Sequence, residues 1–346
     1  MTSSSWQTAR HRIGVTNFHY TPAVAGLAAR FPTGPAGCTF GAVRSWIAVP
    51  VVLLLATAST AAQQLPVFRG GVDLATFGVT VTDRKGNLIS NLTAGDFEVF
   101  EDGQRQTVRY FAPGGLGAGP EMHVGVLLDV SESMGEDIGF TKTAAIKFLN
   151  TLTDAVDITL VDFDTEVRVT RYGQNDFARL VERVRLQKAG GMTALYDAIG
   201  VYLDGAAGQP GRKVMLLYTD GGDTQSAMHF GELLDLLKAS DVTVYAIGEL
   251  EHLPGAGRGS ERRLLEQIAD ATGGRAFFPT AVRDLDQMYA NVVAEIRAQY
   301  TLGYLSTDDR ADGAWRKVEI RVAGPDGREY RVRARKGYFG PYRQGG

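Results

Sequence analysis

Between His123 and Gln299 the chain alternates short, nearly continuous apolar runs with stretches of helical periodicity, about six times over. "HVGVLLD", "DITLVDF", "KVMLLYTDG" and "VTVYAIG" are apolar at almost every position. A strand with one wet face would alternate, so these read as strands buried on both faces. "VRVTRY" and "GGRAFFPT" read as shorter strands. Thr141–Leu152 places Ala144, Ala145, Phe148, Leu149 and Leu152 on one helical face. Phe177–Leu186, Ala194–Ala207, Phe230–Ser240, Arg262–Ala271 and Leu285–Gln299 read as helices as well. The expected fold is α/β: a doubly wound, mostly parallel six-stranded sheet with helices on both faces.

The flanks follow a different rule. "FGVTVTDRKGNLI" and "FEVFEDGQRQTVRYF" alternate apolar and polar residues around turns at Arg84–Asn87 and Asp102-Gly103. After Gln299, "YTLGYLS", "WRKVEIRVAG" and "REYRVRARKGYF" do the same, with a turn at Pro325–Gly327. Each flank has too few strands to be stable alone. A small antiparallel β-sandwich built from both ends of the chain is therefore expected. The organisation is a leader over 1–62, an N-terminal β segment over 67–112, a glycine-rich linker over 113–121, an α/β domain over 122–300, and a C-terminal β segment over 301–340 that pairs with 67–112. "RVRARK" reads as the wet face of an edge strand, and "GAGRGS" at Gly255–Ser260 as a loop.

The leader is legible from charge and hydropathy. No acidic residue precedes Asp73, whereas Arg69 does, and Arg10, Arg12, Arg30 and Arg44 precede Ala62. Arg44 is followed by "WIAVPVVLLLATASTAAQQ", whose apolar part is about ten residues long, a signal-peptide core rather than a membrane-spanning helix. Cleavage after Ala62 fits the small-x-small rule. The residues before this core are long for such a leader, and Val43 is a candidate alternative start. The mature chain would be secreted or held in the periplasm or cell envelope, with no transmembrane segment. It would carry 32 basic against 39 acidic side chains, a net of −7, so no basic field argues for nucleic acid. The single cysteine, Cys38, lies ahead of the cleavage point, which excludes a disulfide, a thiolate nucleophile or a cysteine metal site in the mature chain. "PAGC" lacks the apolar stretch a lipidation signal needs.

In open α/β sheets, ligands bind at the carboxyl ends of the strands. Asp129, Ser131 and Ser133 follow the first buried strand in "VLLDVSESMG". Thr193 lies in "GGMTALYDAI" just ahead of a helix, and Asp220 ends "MLLYTDGGD". All five offer oxygen. A hard cation such as Mg2+, or Mn2+ or Ca2+ in its place, takes oxygen ligands, and two carboxylates with three hydroxyls can hold one. Two carboxylates leave an open coordination position attractive to an outside carboxylate. A Ser or Asp helix cap accounts for the first turn, but less well for Thr193 and Asp220. Asp162 and Asp164 read as strand-end and turn residues, and Glu132 and Asp137 as solvated. Asp197 reads equally as support for Thr193 or as a first-turn helix acid. Gly190 and Gly191 suit a close approach of the loop or a turn. The five histidines are scattered without metal spacing.

The ordered set "DVSES … GGMTALYDAI … TDGGD" resembles the von Willebrand factor type A domain and its metal ion-dependent adhesion site. The likeness covers roughly His123–Tyr300. It implies a Rossmann-like fold, direct ligation by Ser131, Ser133 and Thr193, and ligation by Asp129 and Asp220 directly or through water. It also implies a protein partner whose Asp or Glu carboxylate completes the shell. The flanks resemble bacterial proteins described only as having a von Willebrand factor A-related domain, a family with no defined activity to carry over.

Three functions compete. A secreted, metal-dependent, adhesion-type binding module fits the complete five-residue set and the lack of a general base or nucleophile nearby. A structural or assembly subunit of an envelope complex would use the same end of the sheet without metal. A metal-assisted phosphohydrolase would need Asp129 as nucleophile, yet the Asp-x-Asp pattern is broken by Ser131 and the expected lysine is not evident. The expectation is therefore a binding protein with no catalytic residue.

Overall fold

β5 (Met122–Asp129) is buried along its whole length. Val124, Val126 and Leu128 face one apolar core and Leu127 the other, as period-two geometry requires of a run apolar at every position. This is seen in a computed structural model that describes residues 74–114, 120–152, 154–251, 253–322 and 330–342. The leader expected over 1–62, residues 115–119 of the linker and the Pro325–Gly327 turn lie outside the described residues.

β5 is joined in one sheet by β6 (Ala155–Phe163), β7 (Val167–Gly173), β8 (Arg212–Thr219), β9 (Val242–Gly248) and β10 (Arg275–Phe277). The order is β10-β9-β8-β5-β6-β7. All neighbours are parallel except β7, which runs antiparallel on β6 at the edge. Helices α1 (Ile138–Thr151), α2 (Phe177–Leu186) and α6 (Val282–Ala298) cover one face, through Phe148, Leu180 and Val292 among others. Helices α3 (Leu195–Ala206), α4 (Phe230–Ala239) and α5 (Gly255–Ala271) cover the other, through Ile199, Leu233 and Leu265. The doubly wound α/β architecture read from the sequence is the one observed. Among the described residues no helix is long and apolar enough to cross a membrane.

Gly125 shows how tightly the second face is packed. A methyl group there would lie 2.3 Å from the Tyr202 ring. Gly125→Ala is expected to cost about 1–3 kcal/mol of stability through overpacking, measured by urea unfolding.

The flanks form two four-stranded antiparallel sheets around one core. The first, in order β13-β1-β11-β4, uses β1 (Leu74–Thr82), β4 (Val108–Ala112), β11 (Tyr300–Leu305) and β13 (Arg331–Arg333). The second, in order β14-β12-β2-β3, uses β2 (Phe97–Glu101), β3 (Gln104–Gln106), β12 (Trp315–Val322) and β14 (Gly337–Phe339). Each sheet mixes strands from both ends of the chain: β1 pairs with β11, and β2 with β12. Phe77 and Val79 of one sheet share a core with Val99, Val318 and Ile320 of the other. The β2–β3 hairpin turns on Asp102 and Gly103, at φ of 47° and 84°, the pair of positive angles that Asp-Gly supplies.

Two sequence expectations are corrected. Gly255–Ser260 is not a loop but the first turns of α5. Pro254 caps the helix start, where its fixed φ is tolerated, and the Arg258 side chain donates to the carbonyls of Glu251 and Leu253. The first half of "RVRARK" does occupy an edge strand, and Arg331 is exposed there, but Arg333 and Arg335 are not wet. Arg333 pairs with Glu295 of α6 and donates to the Gly273 carbonyl, and Arg335 donates to the carbonyls of Ser240 and Thr76. These charges hold the sandwich against the α/β layer.

Candidate metal centre

The candidate residues gather where β5 and β8 end at their carboxyl edge. Asp129, the last residue of β5, is fully buried. Its Oδ1 accepts the Ser131 N–H at 3.0 Å and its Oδ2 the Thr219 hydroxyl at 2.6 Å. The DxS spacing thus folds the chain into a tight turn around the carboxylate. Burial pushes the Asp129 carboxyl up to about 7, and the nearby Asp220 charge adds to the effect. A cation placed beside it would reverse that shift.

Ser131 is buried and Ser133 is exposed on the short helical turn Glu132–Gly135. Their hydroxyl oxygens are 3.1 Å apart. Neighbouring ligands of an octahedral ion with bonds near 2.1 Å stand about 3 Å apart, so this pair fits one edge of such a shell.

Thr193 sits in a loop tied on both sides. Gly190 N–H donates to the Val130 carbonyl, and Glu132 N–H to the Gly191 carbonyl. Gly191 holds φ at +81°, and a Cβ there would meet the Thr165 hydroxyl at 2.7 Å, so glycine is required. On the other side, Thr193 N–H donates to the Thr224 hydroxyl, and its carbonyl accepts the N–H groups of Thr224 and Gln225. Thr193 is 5% exposed. Its backbone is fully committed, while its hydroxyl makes no hydrogen bond to the described residues. Asp220 is buried, with Oδ1 accepting the Gly222 N–H at 3.1 Å.

The structure therefore links the loops bearing all five candidates through backbone and hydroxyl bonds. Among the described residues no group of three or more His, Cys, Asp or Glu is arranged to hold a metal. An ion here would depend on the serine and threonine hydroxyls, and the donor set, all oxygen, fits a hard cation.

Two carboxylates escaped the sequence reading. Glu249 follows β9, next to β8 in the sheet, and is buried. Burial pushes it up to about 8, with the charges of Asp137, Asp129 and Asp220 adding. Its two oxygens lie 2.9 and 2.8 Å from the Thr141 hydroxyl, which also faces the Asp137 carbonyl at 3.1 Å. One hydroxyl proton cannot serve three acceptors, so the geometry suits a protonated Glu249. Glu261 is raised by burial and by the Asp220 charge, and it packs against Gly221. The available signal for Glu249 was an acid directly after a buried strand, the same pattern as Asp220.

The secondary candidates resolve plainly. Asp197 accepts the N–H groups of Ala227 and Met228, so it pins the loop after Asp220. Asp164 accepts the Glu166 N–H and, with Asp162, pairs with Arg168, so both are strand-end and turn residues.

Residues 123–291 match the family described as von Willebrand factor type A domain. No curated protein matches the chain. Similar solved structures include a von Willebrand factor type A protein from Catenulispora acidiphila, at 15% identity, covering 80% of this chain and 76% of that chain, with a TM-score of 0.44. They also include the von Willebrand domain of the type V pili tip protein Mfa5 from Porphyromonas gingivalis, at 12% identity, 51% and 97% coverage, and a TM-score of 0.42. A third is the conserved hypothetical protein BatB from Bacteroides thetaiotaomicron, at 12% identity, 50% and 98% coverage, and a TM-score of 0.40.

Proposed function

Taking residues 123–291 as a von Willebrand factor type A domain, we propose that the chain is an exported, metal-dependent protein-binding module rather than an enzyme. The observation that carries this is the oxygen cluster itself. The Ser131 and Ser133 hydroxyls stand at octahedral-edge spacing, Asp129 and Asp220 are buried, and the Thr193 hydroxyl makes no hydrogen bond to the described residues. Asp129, Ser131, Ser133, Thr193 and Asp220 would hold Mg2+, or Mn2+ or Ca2+. The ion would supply a Lewis-acidic position open to a partner's Asp or Glu carboxylate. The chain's own part is to fix the hydroxyls, keep Asp129 out of water and leave Ser133 exposed on the approach side.

The rim suits protein contact. Met192, beside Thr193, is 50% exposed. Glu132, Glu136, Glu166 and Glu251 are exposed on the surrounding loops. Binding should therefore weaken as ionic strength rises if the partner is basic around its carboxylate.

The test is a calorimetric titration of the exported chain with Mg2+, followed by short peptides carrying one aspartate. Saturable magnesium binding and magnesium-dependent peptide binding are expected. No magnesium binding at millimolar concentration would sink the reading, and partner capture indifferent to chelator would favour the assembly-subunit alternative. Thr193→Ala should weaken peptide binding by about 1–3 kcal/mol, the scale of one polar contact in a desolvated site. It should leave most magnesium affinity intact, because a neutral hydroxyl contributes less than Asp129. Equal losses in both titrations would make Thr193 merely a ligand. Export itself is checked by N-terminal sequencing, with a mature start near Gln63 expected.

A further inference from the structure

Away from the metal centre, a cleft of about 1150 Å3 lies between the α/β layer and the sandwich. That exceeds the size of many small-molecule sites. Its walls include Leu74 at the start of β1, Leu203 and Ala207 at the end of α3, Leu236 on α4, and Pro341 and Tyr342 after β14. Tyr342 is 50% exposed.

Most charges in this cleft are spent, the exposed Asp309 on its wall excepted. Asp241 is bonded to Lys213 at 2.6 Å and Asp308 to Arg310 at 2.7 Å. Arg316 donates to the Ser306 hydroxyl and to the carbonyls of Asp308 and Arg310, with Glu101 at 3.7 Å. Arg335 is different. Its two Nη groups donate to the carbonyls of Ser240 and Thr76, each at 2.8 Å, and its guanidinium lies 4.6 Å from the centre of the Phe77 ring. Its Nε–H has no acceptor, as is also true of Arg316, but unlike Arg316 it forms no ion pair among the described residues. A guanidinium has five N–H donors, so more than half of them go unused here. Burial lowers its pKa, and the Asp241 charge works against that shift. A cation in that position is costly unless an anion joins it.

We propose that this cleft binds an organic carboxylate with an apolar body, the carboxylate on Arg335 and the body along Leu203, Leu236 and Tyr342. Two sources share that chemistry: a free aliphatic acid, and the C-terminus of a peptide ending in an apolar residue. Arg335 bridges the sandwich and the α/β layer, so occupancy would also tie the two together.

The experiment titrates the full chain with octanoate, octanamide, and a leucine-terminated hexapeptide as free acid and as amide. Calorimetry and thermal melting are the readouts. Saturable binding of at least one acid, with its amide at least tenfold weaker, is expected. Whichever acid binds more tightly identifies the source. Arg335→Met should cost at least tenfold in affinity. Because Arg335 also holds the seam, Ala207→Trp provides an independent check. Ala207 is exposed at the end of α3, so the indole should fill the cleft without disturbing a core. This variant should keep its melting temperature and lose the acid. Amides binding as well as acids, undiminished binding to Ala207→Trp, or no saturable binding of either acid would each overturn the proposal.

Discussion

Asp129→Ala is expected to abolish the rise in melting temperature that Mg2+ produces in the wild-type protein. A ligand at a hundred times its Kd stabilises the folded state by about 2.7 kcal/mol. In a domain of 150–250 residues each kcal/mol moves the midpoint by about 2–4 °C, so the wild-type rise should be roughly 5–10 °C. Asp129 is the fully buried carboxylate of the site, and its removal takes away much of the negative charge that compensates an ion. Without metal the same residue carries a pH dependence. Its carboxyl is raised from 3.8 to about 7 in the folded state, so between those values the folded chain holds a proton that the unfolded chain has lost. Stability from this group is full below about pH 4 and falls as pH rises toward 7. Glu249, raised from 4.5 to about 8, acts in the same direction. The metal-free protein should therefore melt higher at pH 5 than at pH 8, and the magnesium increment should be larger at pH 8. Scanning calorimetry at both pH values, with and without Mg2+, measures all of this. A magnesium increment that survives Asp129→Ala would place the ion elsewhere.

What the sequence made legible follows from how local each signal is. Strands buried on both faces announce themselves, because β5 must be apolar at successive positions to serve two cores. The five oxygen residues were legible because each sits at the end of such a run or just ahead of a helix. Glu249 ends such a run too, but it belongs to no motif with the others, and its meaning emerges only once β9 lies beside β8. Asp197 looked ambiguous for the same reason: its partners, Ala227 and Met228, are about thirty residues away. The arginines of "RVRAR" alternate like a wet strand face. Arg331 keeps that exposure, and only the packing of β13 and the residues after it against Glu295, Gly273 and Ser240 turns Arg333 and Arg335 inward. The glycines that made Gly255–Ser260 read as a loop carry a helix-propensity cost near 1 kcal/mol each. The Arg258 contacts to Glu251 and Leu253 work against that cost.

Glu101→Ala should be the most destabilising single change in the sandwich, at about 3–5 kcal/mol, the usual cost of stripping one partner from a buried charged pair. Glu101 ends β2, and its side chain is 2% exposed, as is that of Arg316 on β12. Its Oε2 accepts the Tyr304 hydroxyl at 2.6 Å and the Tyr338 hydroxyl at 2.8 Å, and its Oε1 accepts the Ser306 hydroxyl. Tyr304 is on β11 and Tyr338 on β14, so one carboxylate from the N-terminal flank is held by three elements of the C-terminal flank. Its loss leaves three hydroxyls without their acceptor and the Arg316 guanidinium without its nearest carboxylate, Asp308 remaining at 3.8 Å. Charge alone does not require the pair to exist, because well-packed apolar replacements of buried ion pairs are often neutral. The double variant Glu101→Met with Arg316→Met should therefore recover a large share of the loss. Urea unfolding of the wild type, both single variants and the double gives the coupling energy directly. A loss below 1 kcal/mol for Glu101→Ala would show that water reaches this cluster, and that the apolar core around Phe77 and Val99 is what joins the two ends of the chain.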